Sequence, residues 1–155
     1  SPNEAFVAEF QALGDDRFAS SVAFDASNKP YCYKYRDILS GTDRVIVLRL
    51  AEMHLIRAEA LAYTNGNVND IKSDLNVVRL RAGLGQTPAN NIEELKQAIE
   101  NERRYEFAFE AHRWSDLVRT KRATQVLGID EKFTLFPIPL SEMQTNKLME
   151  QNPGY

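Results

Sequence analysis

The most informative stretch of this sequence is Glu102-Arg-Arg-Tyr-Glu-Phe-Ala-Phe-Glu-Ala-His-Arg-Trp114. It holds three glutamates, three arginines and four aromatic residues, and it otherwise has the pattern of a helix. Residues three and four apart lie on the same face of a helix, so the stretch predicts one mixed polar and aromatic stripe. The stripe consists of Glu102, Tyr105, Glu106, Phe109, Glu110 and Arg113.

Charged groups on a half-buried stripe are tolerated only when they are paired. We therefore predict that this stretch forms a structural ion-pair network. Its expected members are Glu102, Arg103, Glu106, Glu110 and Arg113. A ligand or metal site on the same stripe is the alternative interpretation, and the sequence leaves it open.

Upstream of this stretch, the helical pattern predicts two helices joined by a tight turn at Asn65-Gly66-Asn67. Asn67 is a suitable N-cap for the second helix, and Gly83 is expected to end it. Together the two helices approach the length of one TPR unit, about 34 residues. The apolar stripes are Leu48, Ala51, Leu55, Ala58 and Ala62 on a helix that starts at Arg44, and Ile71, Leu75, Val78 and Ala82 on its partner.

The remaining elements are shorter. A capping-box pattern at Ser1-Pro2-Asn3-Glu4 predicts a first helix, and Asn91 is expected to begin the long third helix. The runs 18–24 and 31–35 predict a β-hairpin, residues 133–136 a strand, and residues 141–147 a last helix. We predict a single domain over residues 1–155 that is mainly α, of the α-α superhelix type. It contains a TPR-like helix pair, further packed helices, a small β-hairpin and irregular loops.

Composition excludes several classes of function. The net charge is −3, which supplies no basic footprint for nucleic acid. The single cysteine, Cys32, excludes an internal disulfide. No segment approaches the roughly 20 apolar residues that span a bilayer, and the N-terminus lacks the pattern of a signal peptide.

Three blocks of the sequence resemble motifs of the SusD/RagB family. The first is Glu-Arg-Arg-x-Glu-x-x-Phe-Glu-x-x-Arg-Trp-x-Asp-Leu-x-Arg over residues 102–119, where we expect glycine in place of Ala111. The second is Arg49-Leu-Ala-Glu-Met-His-Leu-Ile-Arg-Ala-Glu-Ala60. The third is Pro137-Ile-Pro139 with Glu142, followed by Gln151-Asn-Pro-Gly-Tyr155. The difference matters in two opposite ways. If position 111 requires a positive φ, alanine is strained there. If position 111 lies inside a helix, alanine is the better residue.

The resemblance implies a function. Members of this family are cell-surface lipoproteins of Bacteroidetes-type bacteria that serve polysaccharide utilization. They bind glycans or other nutrients, and they cover a TonB-dependent (SusC-like) outer-membrane transporter. They are not enzymes, and no cofactor is implied.

The family is also much longer than 155 residues, so this chain resembles its C-terminal part. The export signal and the lipidated cysteine would belong to an N-terminal part that is missing here. Association with the membrane is expected only through that lipid anchor. The alternative function is a cytoplasmic TPR-like adaptor that binds a peptide partner in its helical groove.

Candidate ligand-binding residues are few. Tyr31, Tyr33, Tyr35 and Trp114 are amphipathic aromatics of the kind that stack on sugar rings, and alternation places the three tyrosines on one face of a strand. We favour packing of that face on the helical core, and we favour core packing for Trp114 as well. These four residues are therefore weak candidates, and the sequence does not identify the ligand.

Catalytic and metal sites have less support. A metal site would need His54 and His112 together with Glu106 or Glu110, and no metal-binding motif is present. A carboxylate pair for glycoside hydrolysis could come from Glu102, Glu106 and Glu110. Each of these glutamates has an arginine within helical reach, which is expected to lower its pKa and spoil it as a general acid. We predict no catalytic residues and no metal.

Overall fold

A computed structural model describes residues 2–37 and 39–155, and this part of the chain is mainly helical. Its α-helices are α1 (Glu4–Ala12), α2 (Arg17–Ser21), α3 (Leu50–Tyr63), α4 (Val68–Arg81), α5 (Ile92–Glu106), α6 (His112–Arg119), α7 (Ala123–Leu127) and α8 (Leu140–Thr145). The strands β1 (Val22–Phe24) and β2 (Pro30–Cys32) form an antiparallel pair, and a 3₁₀ helix spans Glu131–Thr134. The predicted fold class, mainly α with a helix pair and a small hairpin, is confirmed.

The chain divides into two compact units, the first ending at His112 and the second beginning at Arg113. That residues 1–155 form a single domain stays a prediction. Within residues 2–37 and 39–155, none of the helices combines the length and the hydropathy that a membrane span requires.

The helix pair α3 and α4 forms the centre of the first unit. Leu55, Ile71 and Leu75 are fully buried, and Leu95 and Ile99 of α5 pack into the same apolar cluster. Small buried residues on α3 allow close approach of the neighbouring helices. These are Ala51, Ala58 and Ala62. The predicted TPR-like pair is confirmed.

The residues that end this helix pair are those that the sequence predicts, except at the start of α3. Asn67 caps α4, its side chain accepting a hydrogen bond from Asn69 N at 2.8 Å, and Gly83 follows the helix at a φ of 73°. The prediction that α3 starts at Arg44 is wrong, because the helix begins at Leu50 and Leu48 is exposed. The β-branched run Val45-Ile-Val47 has restricted side-chain rotamers that disfavour a helix.

The N-terminal elements pack through aromatic side chains. Asn3 caps α1, its side chain accepting from Phe6 N at 3.1 Å. The predicted capping box, with Pro2 as the first helical residue, is wrong because the helix begins at Glu4; its expected N-cap, Ser1, lies outside the described residues. Phe10 of α1 is fully buried, with its ring centroid 5.1 Å from that of Tyr105.

The predicted hairpin is confirmed in type but is shorter than expected. Val22 pairs with Cys32, and the Asp25 side chain accepts hydrogen bonds from Ser27 N and Lys29 N in the turn. Phe18 was expected in the first strand and lies in α2 instead. The reason is Asp15, whose carboxylate accepts from the backbone N–H of Arg17 at 2.9 Å and so favours a helical turn before the strand.

The long third helix does not continue through the Glu102–Trp114 stretch. Asn91 caps α5 as predicted, through Glu94 N at 3.0 Å, but α5 ends at Glu106. Phe109 and Ala111 have φ values of 67° and 63°, in the left-handed region. A right-handed helix cannot pass through two such residues, so the expectation of one continuous stripe to Arg113 is wrong.

Ala111 therefore occupies a position that favours glycine, and replacing Ala111 by glycine should stabilise the chain by about 1 kcal/mol. Ala60→Gly, at an exposed site inside α3, is the matched control and should destabilise by roughly 1 kcal/mol. Urea unfolding of both variants measures the two effects. A loss of stability in Ala111→Gly would show that the position does not carry left-handed strain.

In the second unit, residues 133–136 do not form the predicted strand. Asp130 caps the 3₁₀ helix instead, its side chain accepting from Lys132 N at 3.0 Å. The predicted last helix is confirmed as α8. The Gln151 side chain makes two hydrogen bonds to the backbone of Ile138. It accepts from Ile138 N at 2.7 Å and donates to Ile138 O at 3.0 Å. This pairing connects the Pro137-Ile-Pro139 segment to the Gln151 segment.

Candidate functional site

The end of α5 carries buried carboxylates that are surrounded by cations. Glu106 is 2% exposed, and it accepts hydrogen bonds from Arg17 Nη1 at 2.6 Å, from Arg81 Nη2 at 2.5 Å and from Arg49 Nη1. Three guanidinium groups therefore meet on one carboxylate. Charge-assisted hydrogen bonds of this kind are the stronger ones in proteins.

Glu102 and Glu110 extend the same cluster. Glu102 Oε1 lies 2.7 Å from Arg17 Nη1, an ionic contact, and its Oε2 accepts from Arg79 Nη1 at 3.3 Å. Glu110 Oε1 accepts from Lys34 Nζ at 2.5 Å, and its Oε2 accepts from Arg49 Nε at 3.0 Å. We call this set of residues the charge cluster. Its members are Asp15, Arg17, Lys34, Arg49, Arg79, Arg81, Glu102, Glu106 and Glu110.

The cations of the charge cluster were missed by sequence reasoning. They come from α2, from the segment after β2, from the residue before α3 and from α4, whereas we expected partners inside the Glu102–Trp114 stretch. Arg49, as the first residue of the second family-like block, was a signal that the sequence offered. Of the two expected cations, Arg103 is buried with its Cζ 4.9 Å from the Phe107 ring centroid. Arg113 lies in the second unit.

Burial and arginine contacts act in opposite directions on the carboxyl pKa values. For Glu106, burial raises the pKa, but hydrogen bonds from Arg81, Arg49 and Arg17 outweigh it and lower the pKa to about 2. For Glu102, burial dominates over Arg17 and Arg79, and the pKa is raised. The predicted direction is therefore confirmed for Glu106, but the arginines responsible lie on other elements and not within helical reach. The prediction is wrong for Glu102, because two partners do not outweigh the desolvation of that side chain.

An open cleft of about 200 Å³ borders the charge cluster. Four cationic residues, two glutamates, two serines and one isoleucine line it. They are Arg17, Ser20, Ser21, Lys34, Ile46, Arg49, Arg81, Glu106 and Glu110. Glu102 is not among them, so the two carboxyls with divergent pKa values do not face this cleft together.

Two of the candidate tyrosines share an accessible surface. Tyr31 is 43% exposed, and its ring lies edge-on to that of Tyr33 with centroids 6.2 Å apart. The guanidinium of Arg36 lies over the Tyr33 ring, with its Cζ 4.1 Å from the centroid. The chain thus presents an aromatic pair with a cation stacked on its second member.

The other aromatic candidates are placed differently. The strand β2 ends at Cys32, so the expectation of three tyrosines on one strand face is wrong for Tyr33 and Tyr35. Tyr35 is half-buried, and burial and then Glu110 raise its pKa. Trp114 lies on α6 in the second unit and is 38% exposed, more than the core position that we expected.

The two histidines pair with different carboxylates. His54 Nδ1 lies 2.8 Å from Asp74 Oδ1, and Arg57 makes two hydrogen bonds to the same carboxylate. His112 Nδ1 lies 3.8 Å from Glu52 Oε1. In the part of the chain that the structure describes, no group of three or more His, Cys, Asp or Glu residues is arranged to hold a metal ion.

The protein is mainly helical and built around a TPR-like helix pair, with the charge cluster at the end of α5. Comparison with known proteins identifies the family more closely. The model of the SusD family matches residues 26–134. The chain therefore belongs to the SusD family.

Individual relatives and solved structures agree with this assignment. SusD-like protein P2 of Formosa agariphila is 34% identical over 84% of this chain and 31% of its own length. Starch-binding protein SusD of Bacteroides thetaiotaomicron is 33% identical over 70% of this chain and 21% of its own length. The solved structure of a laminarin-binding SusD-like protein superposes with a TM-score of 0.74 and 29% identity, covering 97% of this chain and 37% of that one. The chain thus spans only about a third of the length of SusD-like protein P2.

Proposed function

We propose that this chain is the C-terminal part of a non-enzymatic glycan-binding protein of the bacterial cell surface. The observation that carries the proposal is the match to the SusD family over residues 26–134, together with relatives named for starch and laminarin binding. The charge cluster supports a structural role for its carboxylates, because arginines and a lysine pair with them.

The partner and the location belong to the same proposal. A SusD-like protein would deliver its glycan to a TonB-dependent transporter in the outer membrane. It would be held at the cell surface by a lipid anchor in the N-terminal part of the full-length protein. No cofactor is needed for binding and delivery.

Within this chain, the surface that fits a sugar best is the Tyr31–Tyr33 pair. An exposed tyrosine offers an apolar ring face and a hydroxyl, which suit the two sides of a pyranose. The neighbouring Arg36 guanidinium adds donors that a sugar hydroxyl can accept. We therefore propose Tyr31 and Tyr33 as a contact surface for the glycan.

Replacing Tyr31 by alanine should weaken glycan binding about tenfold, equivalent to roughly 1.4 kcal/mol. Isothermal titration of the full-length protein against a panel of oligosaccharides, laminarin and starch fragments among them, measures the affinity. Tyr63→Ala is the matched control, because Tyr63 is also an exposed tyrosine, and Lys96 Nζ lies 5.0 Å from its ring centroid much as Arg36 lies over Tyr33. The control variant should bind as the wild type does.

Two results would count against the proposal at different levels. Equal affinity of the Tyr31→Ala variant and the wild type would remove the tyrosine pair as a contact surface. Failure of the wild type to bind any glycan of the panel would contradict the proposed function itself.

A further inference from the structure

The cleft beside the charge cluster has a surplus of positive charge. Its wall contains four cationic side chains, Arg17, Lys34, Arg49 and Arg81, and only two carboxylates, Glu106 and Glu110. The cluster as a whole has five cations and four carboxylates when Arg79, Asp15 and Glu102 are added. An additional negative group in the cleft would therefore meet a net attractive field.

Arg81 provides the donors for such a group. Its side chain is 55% exposed, in contrast to the 12–21% of the other three lining cations. Among residues 2–37 and 39–155, the guanidinium donates one hydrogen bond, from Nη2 to Glu106 Oε1 at 2.5 Å. A guanidinium has five N–H donors, so most of those on Arg81 are available to a ligand oxygen.

Ser21 adds a second donor at the wall of the cleft. The residue lines the cleft and is 2% exposed. A serine hydroxyl can donate one hydrogen bond to a ligand oxygen.

We infer that this cleft binds an oxyanion group carried by a sugar, either the carboxylate of a uronate or a sulfate ester. Arg81 and Ser21 would donate hydrogen bonds to the oxyanion, and Ile46 would contact the apolar face of the sugar ring. The cleft of about 200 Å³ is smaller than the roughly 300–1,000 Å³ of pockets for drug-sized ligands, which suits one charged sugar unit. The inference rests on the proposed glycan-binding function and adds the chemical class of the glycan.

The test uses isothermal titration of the full-length protein with three ligands. They are an oligogalacturonate, the same oligomer with its carboxylates reduced to alcohols, and a sulfated galactan oligomer. At least one acidic oligomer should bind about tenfold more tightly than the reduced one, as expected for charge-assisted hydrogen bonds. Whichever acidic oligomer binds more tightly identifies the source of the oxyanion.

Arg81→Gln should abolish the preference, lowering the affinity for the acidic oligomer about tenfold to that of the reduced one. Arg57→Gln is the matched control, because Arg57 is equally an exposed arginine that pairs with a buried carboxylate, that of Asp74. The control variant should keep the preference.

The outcomes separate this inference from the proposed function. Equal affinity for the acidic and the reduced oligomers would overturn the inference and leave glycan binding intact. The same holds if Arg81→Gln keeps the preference or if Arg57→Gln loses it as well. Absence of binding to every oligomer and to the neutral panel would contradict the proposed function, and the inference would fall with it.

Discussion

Replacing Glu106 by alanine should lower the free energy of unfolding by about 3–5 kcal/mol. The Glu106 side chain is 1% exposed and holds Arg17, Arg49 and Arg81 at once. Without its carboxylate, Arg17 and Arg49 stay largely buried with fewer counter-charges, and the Arg49 guanidinium loses its Nη1 acceptor. Removing one member of a buried pair is costly because the remaining charges are left uncompensated.

Urea unfolding followed by circular dichroism measures this effect on the chain. Glu93→Ala is the matched control on the same helix, because Glu93 is 82% exposed and pairs with Lys96 at 2.7 Å. An exposed pair of this kind contributes roughly 0–1 kcal/mol, so the control should change stability little. If Glu106→Ala unfolds at the same urea concentration as the control, the charge cluster does not stabilise the fold.

Acid should remove the contribution of Glu106 between about pH 4.5 and pH 2. The carboxyl has a pKa of about 2 in the folded chain, against an ordinary value of 4.5. A folded-state pKa below the unfolded one stabilises the fold at higher pH, and this stabilisation is lost as pH falls through that interval. The difference in pKa corresponds to about 3 kcal/mol.

Glu102 changes stability in the opposite direction. Its pKa is raised, chiefly by burial, so its carboxyl binds a proton more readily in the folded chain and acid favours the folded state at this site. The Glu106 effect is therefore measured as a difference between the wild type and Glu106→Gln. The wild type should lose about 3 kcal/mol more than the variant when urea unfolding is repeated from pH 5 to pH 2. Parallel pH profiles of the two proteins would contradict a lowered pKa at Glu106.

The sequence contains most of what determines the helix pair. The apolar spacing of Leu55, Ile71 and Leu75 and the cap at Asn67 depend on neighbours within a few turns, so periodicity and capping rules predict them. The start of α3 was predicted too early because Leu48 continues the apolar spacing into a segment that is not helical. Periodicity does not register the side-chain stiffness of Val45-Ile-Val47.

The charge cluster could be predicted only in part. The glutamates stand out as charged residues on a stripe that must be buried, but their partners are distant in sequence. Arg17 reaches Glu106 across 89 residues and Lys34 reaches Glu110 across 76. Local spacing carries no information on such pairs, which are set by tertiary packing.

The break after Glu106 had one sequence signal, and it was the position of Ala111. The resemblance to the SusD/RagB family predicts glycine there, and the sequence left open whether the position takes a positive φ or lies inside a helix. Phe109 also takes a positive φ, and nothing in its residue type suggests this, because bulky residues are uncommon in that region. Because of these two left-handed residues, Phe109 and Glu110 do not continue the stripe along α5.

We propose that the full-length protein acts at the cell surface together with an outer-membrane transporter. The most direct test is a pull-down of that protein from detergent-solubilised membranes of its native host, followed by identification of the co-purified proteins. The proposed function predicts a large TonB-dependent transporter in near-equal amount. Recovery of the protein in the soluble fraction without such a partner would contradict the claim and favour the cytoplasmic adaptor.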